Sequence, residues 1–145
     1  LAARPDTAPV AVHPVALSDA DGEATLVMPP DFASNHGVGF LGDATADGVR
    51  VPTRRLDDVV PADRTVAVMK MDVEGHEPAV LRGAAGLLAG KRVTHAAFEE
   101  HGGPDSEACR LFRAAGYDLF QVGWRMGGPV LAPVDAPPVC KPYEA

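Results

Sequence analysis

Two short runs hold most of the residues in this chain that could do chemistry: Asp72-Val73-Glu74-Gly75-His76-Glu77 and Glu99-Glu100-His101. Together they offer five carboxylates and two imidazoles. Such groups take, give and orient protons near neutral pH. They can also hold a divalent cation, oxygen donors suiting magnesium or calcium and imidazole suiting zinc or manganese. The spacing matches no specific metal motif, so a metal is left open. The sequence has no Gly-x-Ser-x-Gly nucleophile elbow, no Walker loop and no His-Glu-x-x-His, which argues against the chemistries those motifs carry.

Both runs follow apolar segments that must position them. Residues 65–73, TVAVMKMDV, are nearly continuously apolar, which predicts a strand covered on both faces. Gly75 permits a tight turn into a helix, with Pro78 in its first turn and Glu77 near the positive end of its dipole. Val80, Leu81, Ala84, Leu87 and Leu88 recur at helical spacing as one buried stripe, and Gly90 is the expected C-terminal cap. A second strand runs from Val93 to Glu99. Gly102, Gly103 and Pro104 break it, and Asp105 or Ser106 caps a helix burying Ala108, Leu111, Phe112 and Ala115. That helix stops at Gly116. Tyr117–Trp124 reads as a third strand and Pro129–Val134 as an edge strand. Strand, helix, strand, helix, strand over 65–124 implies parallel strands with right-handed crossovers, hence an α/β sheet with helices on its faces. Ligands of open parallel sheets bind beyond the carboxyl ends of the strands, where both runs sit. If the two strands are neighbours, the runs gather on one edge and open onto a shared hollow. That placement is the main signal.

Each residue also has a plainer reading. Glu77 is a helix-dipole partner. Asp72 is either solvated at the rim or aimed into a site. Lys70, inside an apolar strand, needs a carboxylate or an exit to water. His95 reads as a core or edge histidine and Cys109 as core. Upstream, residues 10–17 read as a strand with an irregularity at Pro14. Asp21-Gly22 signals a turn and Glu23–Met28 a short strand. The glycine-rich 29–50 looks like a long surface segment, of a length that tends to be functional.

Composition narrows the partners. The 145 residues hold 13 Lys plus Arg against 20 Asp plus Glu, a formal net charge of −7, and are 46% hydrophobic. The length predicts one domain or a large piece of one. The charge argues against nucleic acid or an anionic membrane as the main partner. Cys109 and Cys140 are too few for a disulfide framework, which fits a reducing, cytoplasmic setting. No apolar run approaches the ~20 residues of a membrane span, and no signal-peptide pattern opens the chain.

Residues 56–101, LDDVVPADRTVAVMKMDVEGHEPAVLRGAAGLLAGKRVTHAAFEEH, resemble the FkbM family of S-adenosylmethionine-dependent methyltransferases. The matching positions are Leu56-Asp57, Lys70, Asp72, Glu74, Gly75, Glu77, Leu81 with Gly83, and Glu99 or Glu100 with His101. HPVALSDADGEATL at 13–26 looks like the family's third strand and the turn after it. The resemblance implies a Rossmann-like class I methyltransferase fold, a mostly parallel sheet with helices on both faces. Nothing before Val10 matches the family's glycine-rich cofactor turn. By the resemblance, therefore, residues 1–145 are a single-domain piece, the carboxyl-terminal portion of that domain.

What the resemblance implies for mechanism is an O-methyltransferase, or its acceptor-side half, working on a hydroxyl of a small molecule, sugar or polyketide-type acceptor. S-adenosylmethionine brings an activated methyl group, and the protein aligns the acceptor oxygen and removes its proton. His101 is the preferred general base and Asp72 the second choice, with Glu74 and Glu99 orienting acceptor hydroxyls. Ala16, Leu17 and Ser18, with Asp72, are the expected cofactor contacts. Two rivals stand beside this reading. One is a truncated, non-catalytic α/β fragment, and the other a metal-dependent hydrolase using the carboxylate edge.

Overall fold

The computed structural model describes residues 9–28, 39–42, 47–125 and 128–137. Cys140, Gly37 and the parts of the glycine-rich segment at 29–38 and 43–46 lie outside the described residues. A four-stranded sheet forms first, in the order β1 (Ala16–Leu17), β4 (Val49–Arg54), β2 (Gly22–Val27), β3 (Phe40–Gly42). β1 and β4 are parallel; β4 with β2 and β2 with β3 are antiparallel. The strand expected over 10–17 is thus only its last two residues. Pro14 has no N–H to give to a ladder, and Val15 N–H instead donates to the His13 carbonyl at 2.8 Å in a tight turn. The segment 29–50, expected as loop, contributes β3 and the start of β4. β4 tolerates Pro52 because its pairing with β1 begins only at Thr53.

After a single turn of helix, α1 (Leu56–Val59), come β5 (Val66–Met71) and β6 (Val93–Phe98), paired in parallel with Val66 opposite Val93 and Met71 opposite Phe98. Between them the expected single helix is two, α2 (Glu77–Arg82) and α3 (Ala85–Ala89), broken at Gly83-Ala84. The stripe Val80, Leu81, Ala84, Leu87 and Leu88 is buried nonetheless, in one cluster with Met69 and Met71 of β5. α4 (Glu107–Ala114) is capped by Ser106, whose Oγ accepts from Cys109 N–H at 3.2 Å, and it buries Ala108, Cys109 and Phe112. These helices and the Met69 and Met71 face of β5 make one core. Phe98 stacks on Phe112 at 5.1 Å between ring centroids, and Tyr117 meets Phe112 edge-on at 5.7 Å.

Three expectations are corrected here. The fold is mixed α/β, but among the described residues it is not one mostly parallel sheet. β7 (Phe120–Arg125) pairs antiparallel with β8 (Gly128–Pro133) rather than in parallel with β6. Nor are helices seen on both faces of the β5–β6 pair. Its second face carries Val68, 67% exposed, with Lys70, His95 and Ala97, all exposed. The apolar run in β5 therefore overstates its burial, and of the core and edge readings of His95 the edge one holds, since it is exposed on β6 of a two-stranded pair. No helix among the described residues is long and apolar enough to cross a membrane.

Candidate functional site

The β5–β6 register sets the site. With Met71 beside Phe98, the run that begins at Asp72 and the run that begins at Glu99 leave adjacent strand ends side by side, as the sequence predicts. The first then turns sharply. Glu74 and Gly75 both take the left-handed conformation, φ 49° and 89°, which a glycine adopts freely and a glutamate only with some strain. His76 follows as the N-cap of α2, but its side chain makes no capping bond.

The carboxylates do not pool. Asp72 accepts from Lys70 Nζ at 2.5 Å, the pairing that Lys70's place in an apolar strand calls for. Glu74 points into solvent. Glu77 is 6% exposed, at the first turn of α2, and accepts weakly from Val73 N–H at 3.4 Å. Glu99 lies 3.6 Å from His101 Nε2, and His101 is 77% exposed. Glu100 accepts from Gly102 N–H and Ser106 Oγ, both at 2.6 Å, tying the loop after β6 to the cap of α4. Among the described residues no group of three or more His, Cys, Asp or Glu side chains is placed to hold a metal ion. The expected gathering of five carboxylates is thus an edge of separate groups, with Asp72, Glu77, Glu99 and Glu100 each beside a neighbour of its own and Glu74 in solvent.

Nor do the two runs share one hollow. A cavity of about 340 Å³ lies between the first sheet and the β5–α2 turn, lined by Ala16 and Leu17 of β1, by Leu26 and Leu41, and by Asp72 and His76. A larger cavity, about 1010 Å³, lies between β6 and the β7–β8 hairpin and takes Glu99 and Glu100 into its wall. His101 lines neither. The smaller one joins two segments that the sequence marks separately, 16–18 and 72–76. Ser18, 8% exposed, sits behind its wall with Oγ 3.1 Å from His76 Nε2. His76 is the residue that sequence reasoning passed over. Its signal was the imidazole inside the acidic turn itself.

The frame around this cavity explains other motif positions. Asp57 N–H donates to the Gly83 carbonyl at 3.0 Å, while the Asp57 carboxylate accepts from Gly86 N–H and Leu87 N–H, each at 2.8 Å. Asp57 is therefore a long-range cap of α3. Gly83 lies against β1's exit. A Cβ there would fall 1.9 Å from the Ser18 carbonyl oxygen, so Leu81-x-Gly83 is a site of close backbone approach. Arg82 reaches from α2 to Asp19 Oδ2 at 3.1 Å and to Glu107 of α4 at 2.5 Å. Its hydrogen bond holds the Asp19 carboxyl below its ordinary value.

Compared with known proteins, the chain matches no curated protein and no solved structure. The family model described as the methyltransferase FkbM domain matches residues 1–119, a span that contains the Asp72–Glu77 turn, the Glu99–His101 tip, the wall residues Ala16 and Leu17, and Ser18 behind them. The chain belongs to the FkbM methyltransferase family.

Proposed function

We propose that this chain is the acceptor-side part of an S-adenosylmethionine-dependent O-methyltransferase acting on a hydroxyl of a small molecule, sugar or polyketide-type acceptor. The observation that carries the reading is the parallel register of β5 and β6, which puts proton-handling groups at the carboxyl edge of a sheet in a chain of this family. The cavity supports it. About 340 Å³ walled by Ala16, Leu17, Leu26 and Leu41 is of the size and apolarity that receive a flat heterocycle, with Asp72 and His76 as its polar groups. S-adenosylmethionine supplies an activated methyl group when bound. The chain's own task is to hold the acceptor oxygen and take its proton.

In this reading Ala16 and Leu17 flank the adenine, Ser18 backs them, and Asp72 and His76 of the same cavity face the reacting end, where the acceptor hydroxyl meets the methyl group. Glu74 and Glu99 orient acceptor hydroxyls from the solvent side of the edge, and an imidazole of this edge, His101 in the sequence reading, takes the proton. A metal-dependent hydrolase is the weaker reading, since among the described residues the carboxylates do not gather around one point. The setting proposed is cytoplasmic, in keeping with free, buried Cys109.

Calorimetric titration of S-adenosylmethionine into this chain, and into a version carrying a complete cofactor-binding half at its amino end, tests the reading. The expected result is saturable binding by the extended version and much weaker binding by this chain. Indifference of both to S-adenosylmethionine, with tight binding of manganese, would replace the methyltransferase by the hydrolase.

A further inference from the structure

We infer that His76, held by a chain of contacts from Ser18 through Asp19 to Arg82, is the proton acceptor of this cavity, presenting Nδ1 to the ligand's hydroxyl. The inference rests on the methyltransferase reading for the reaction, though not for the geometry. Of the two imidazoles on the edge, His76 lines the cavity that joins the Ala16–Leu17 wall to Asp72, whereas His101 lines no described cavity and is 77% exposed.

The contacts also fix which ring nitrogen carries hydrogen. Arg82 Nε donates to Asp19 Oδ2 at 3.1 Å, so Asp19 is a carboxylate and can only accept. Ser18 Oγ lies 3.4 Å from Asp19 Oδ1 and 3.1 Å from His76 Nε2. The hydroxyl has one hydrogen. Because the carboxylate cannot donate, both contacts are hydrogen bonds only if Ser18 Oγ donates to Asp19 and accepts from His76 Nε2–H. The neutral ring must then have its lone pair on Nδ1. Nδ1 has no hydrogen-bond partner among the described residues, and although His76 is the N-cap of α2, its side chain does not cap the helix. The ring is turned toward Ser18 instead.

The step balances without any further reactant. As the acceptor oxygen bonds to the methyl carbon, the carbon–sulfur bond breaks with its electron pair left on sulfur, and the hydroxyl proton passes to Nδ1. The resulting imidazolium returns the proton to water. Ser18, Asp19 and Arg82 are positioning residues, acting on the ring rather than on the ligand.

Two measurements test this. Nitrogen-15 NMR of the histidine rings in this chain needs no cofactor: His76 should show the Nε2–H tautomer alone when neutral, with Ser18→Ala broadening or shifting its ring nitrogens but not those of His101. A predominant Nδ1–H tautomer overturns the inference, whatever the enzyme does. In the extended, cofactor-binding protein, His76→Gln keeps a donor toward Ser18 but removes the basic nitrogen. It should lower kcat roughly a hundredfold or more, leave S-adenosylmethionine affinity within about twofold, and preserve the circular dichroism of the fold. Loss of kcat with His101→Ala and its retention with His76→Gln would assign the proton to the other imidazole.

Discussion

Asp57 and Gly83 illustrate how much a single residue can carry here. Neither touches the cavity, yet together they break one helix into two and press it against the end of β1. Removing the carboxylate with Asp57→Ala strands two N–H groups at the start of α3, and should lower stability by about 1–2 kcal/mol, read as a lower urea midpoint at unchanged slope. Gly83→Ala is the harsher change. The new Cβ would meet backbone on both sides, the Ser18 carbonyl oxygen at 1.9 Å and the Arg55 Cα at 3.4 Å, and backbone cannot rotate away. A loss of roughly 3 kcal/mol is expected, with ring-nitrogen shifts at His76 because Ser18 must move. Wild-type stability in that variant would show that the approach is looser than the geometry implies.

At the scale of elements, the helices cover the Met69 and Met71 face of β5, and the turn after β8 is tied to α4 by the Arg113–Asp135 ion pair at 2.7 Å. Phe112 joins α4 to β6 and to the connection that follows: it stacks on Phe98 of β6, takes the edge of Tyr117 after α4, and is fully buried. Phe112→Ala should cost about 3–5 kcal/mol, enough to unfold a marginal domain, and thermal denaturation would report it. The end of α4 is held from the turn after α3, since Lys91 Nζ donates to the Ala115 and Gly116 carbonyls at 2.5 Å and sits 4.3 Å above the Tyr117 ring. Lys91 itself has φ 53°, so the left-handed position after α3 falls on a lysine and not on Gly90. Lys91→Gly should therefore relieve backbone strain while losing these contacts. A near-neutral stability change, under about 1 kcal/mol, is the expected outcome.

Over the whole molecule, Arg82 ties the turn after β1 to α2 and α4 through Asp19 and Glu107. The Arg82 hydrogen bond lowers the Asp19 carboxyl from its usual 3.8. A depressed carboxyl stabilises the fold above its unfolded value, and that contribution disappears as pH falls through the folded one. Stability should therefore be flat in this respect from neutral pH down to about 4 and fall below it. Arg82→Gln should flatten the acid limb, and the effect is modest because both side chains are partly in water. An unchanged acid limb in that variant would show that the tie contributes nothing.

The order of strands and helices from β5 to α4, the buried stripe of α2 and α3, the Ser106 cap and the adjacency of the two acidic runs could all be read from the chain. They depend on local periodicity and on short crossovers, which leave a parallel pair only one arrangement. Sequence could not say that β5 keeps one face open, that a proline-bearing segment becomes the inner strand of the first sheet, or that the carboxylates part company into separate groups. Those outcomes depend on which distant segment lies alongside, and side-chain types do not encode that. His76 is the clearest instance: its residue type was visible in the acidic turn, but only the arrival of Ser18, 58 positions away, gave its ring a direction.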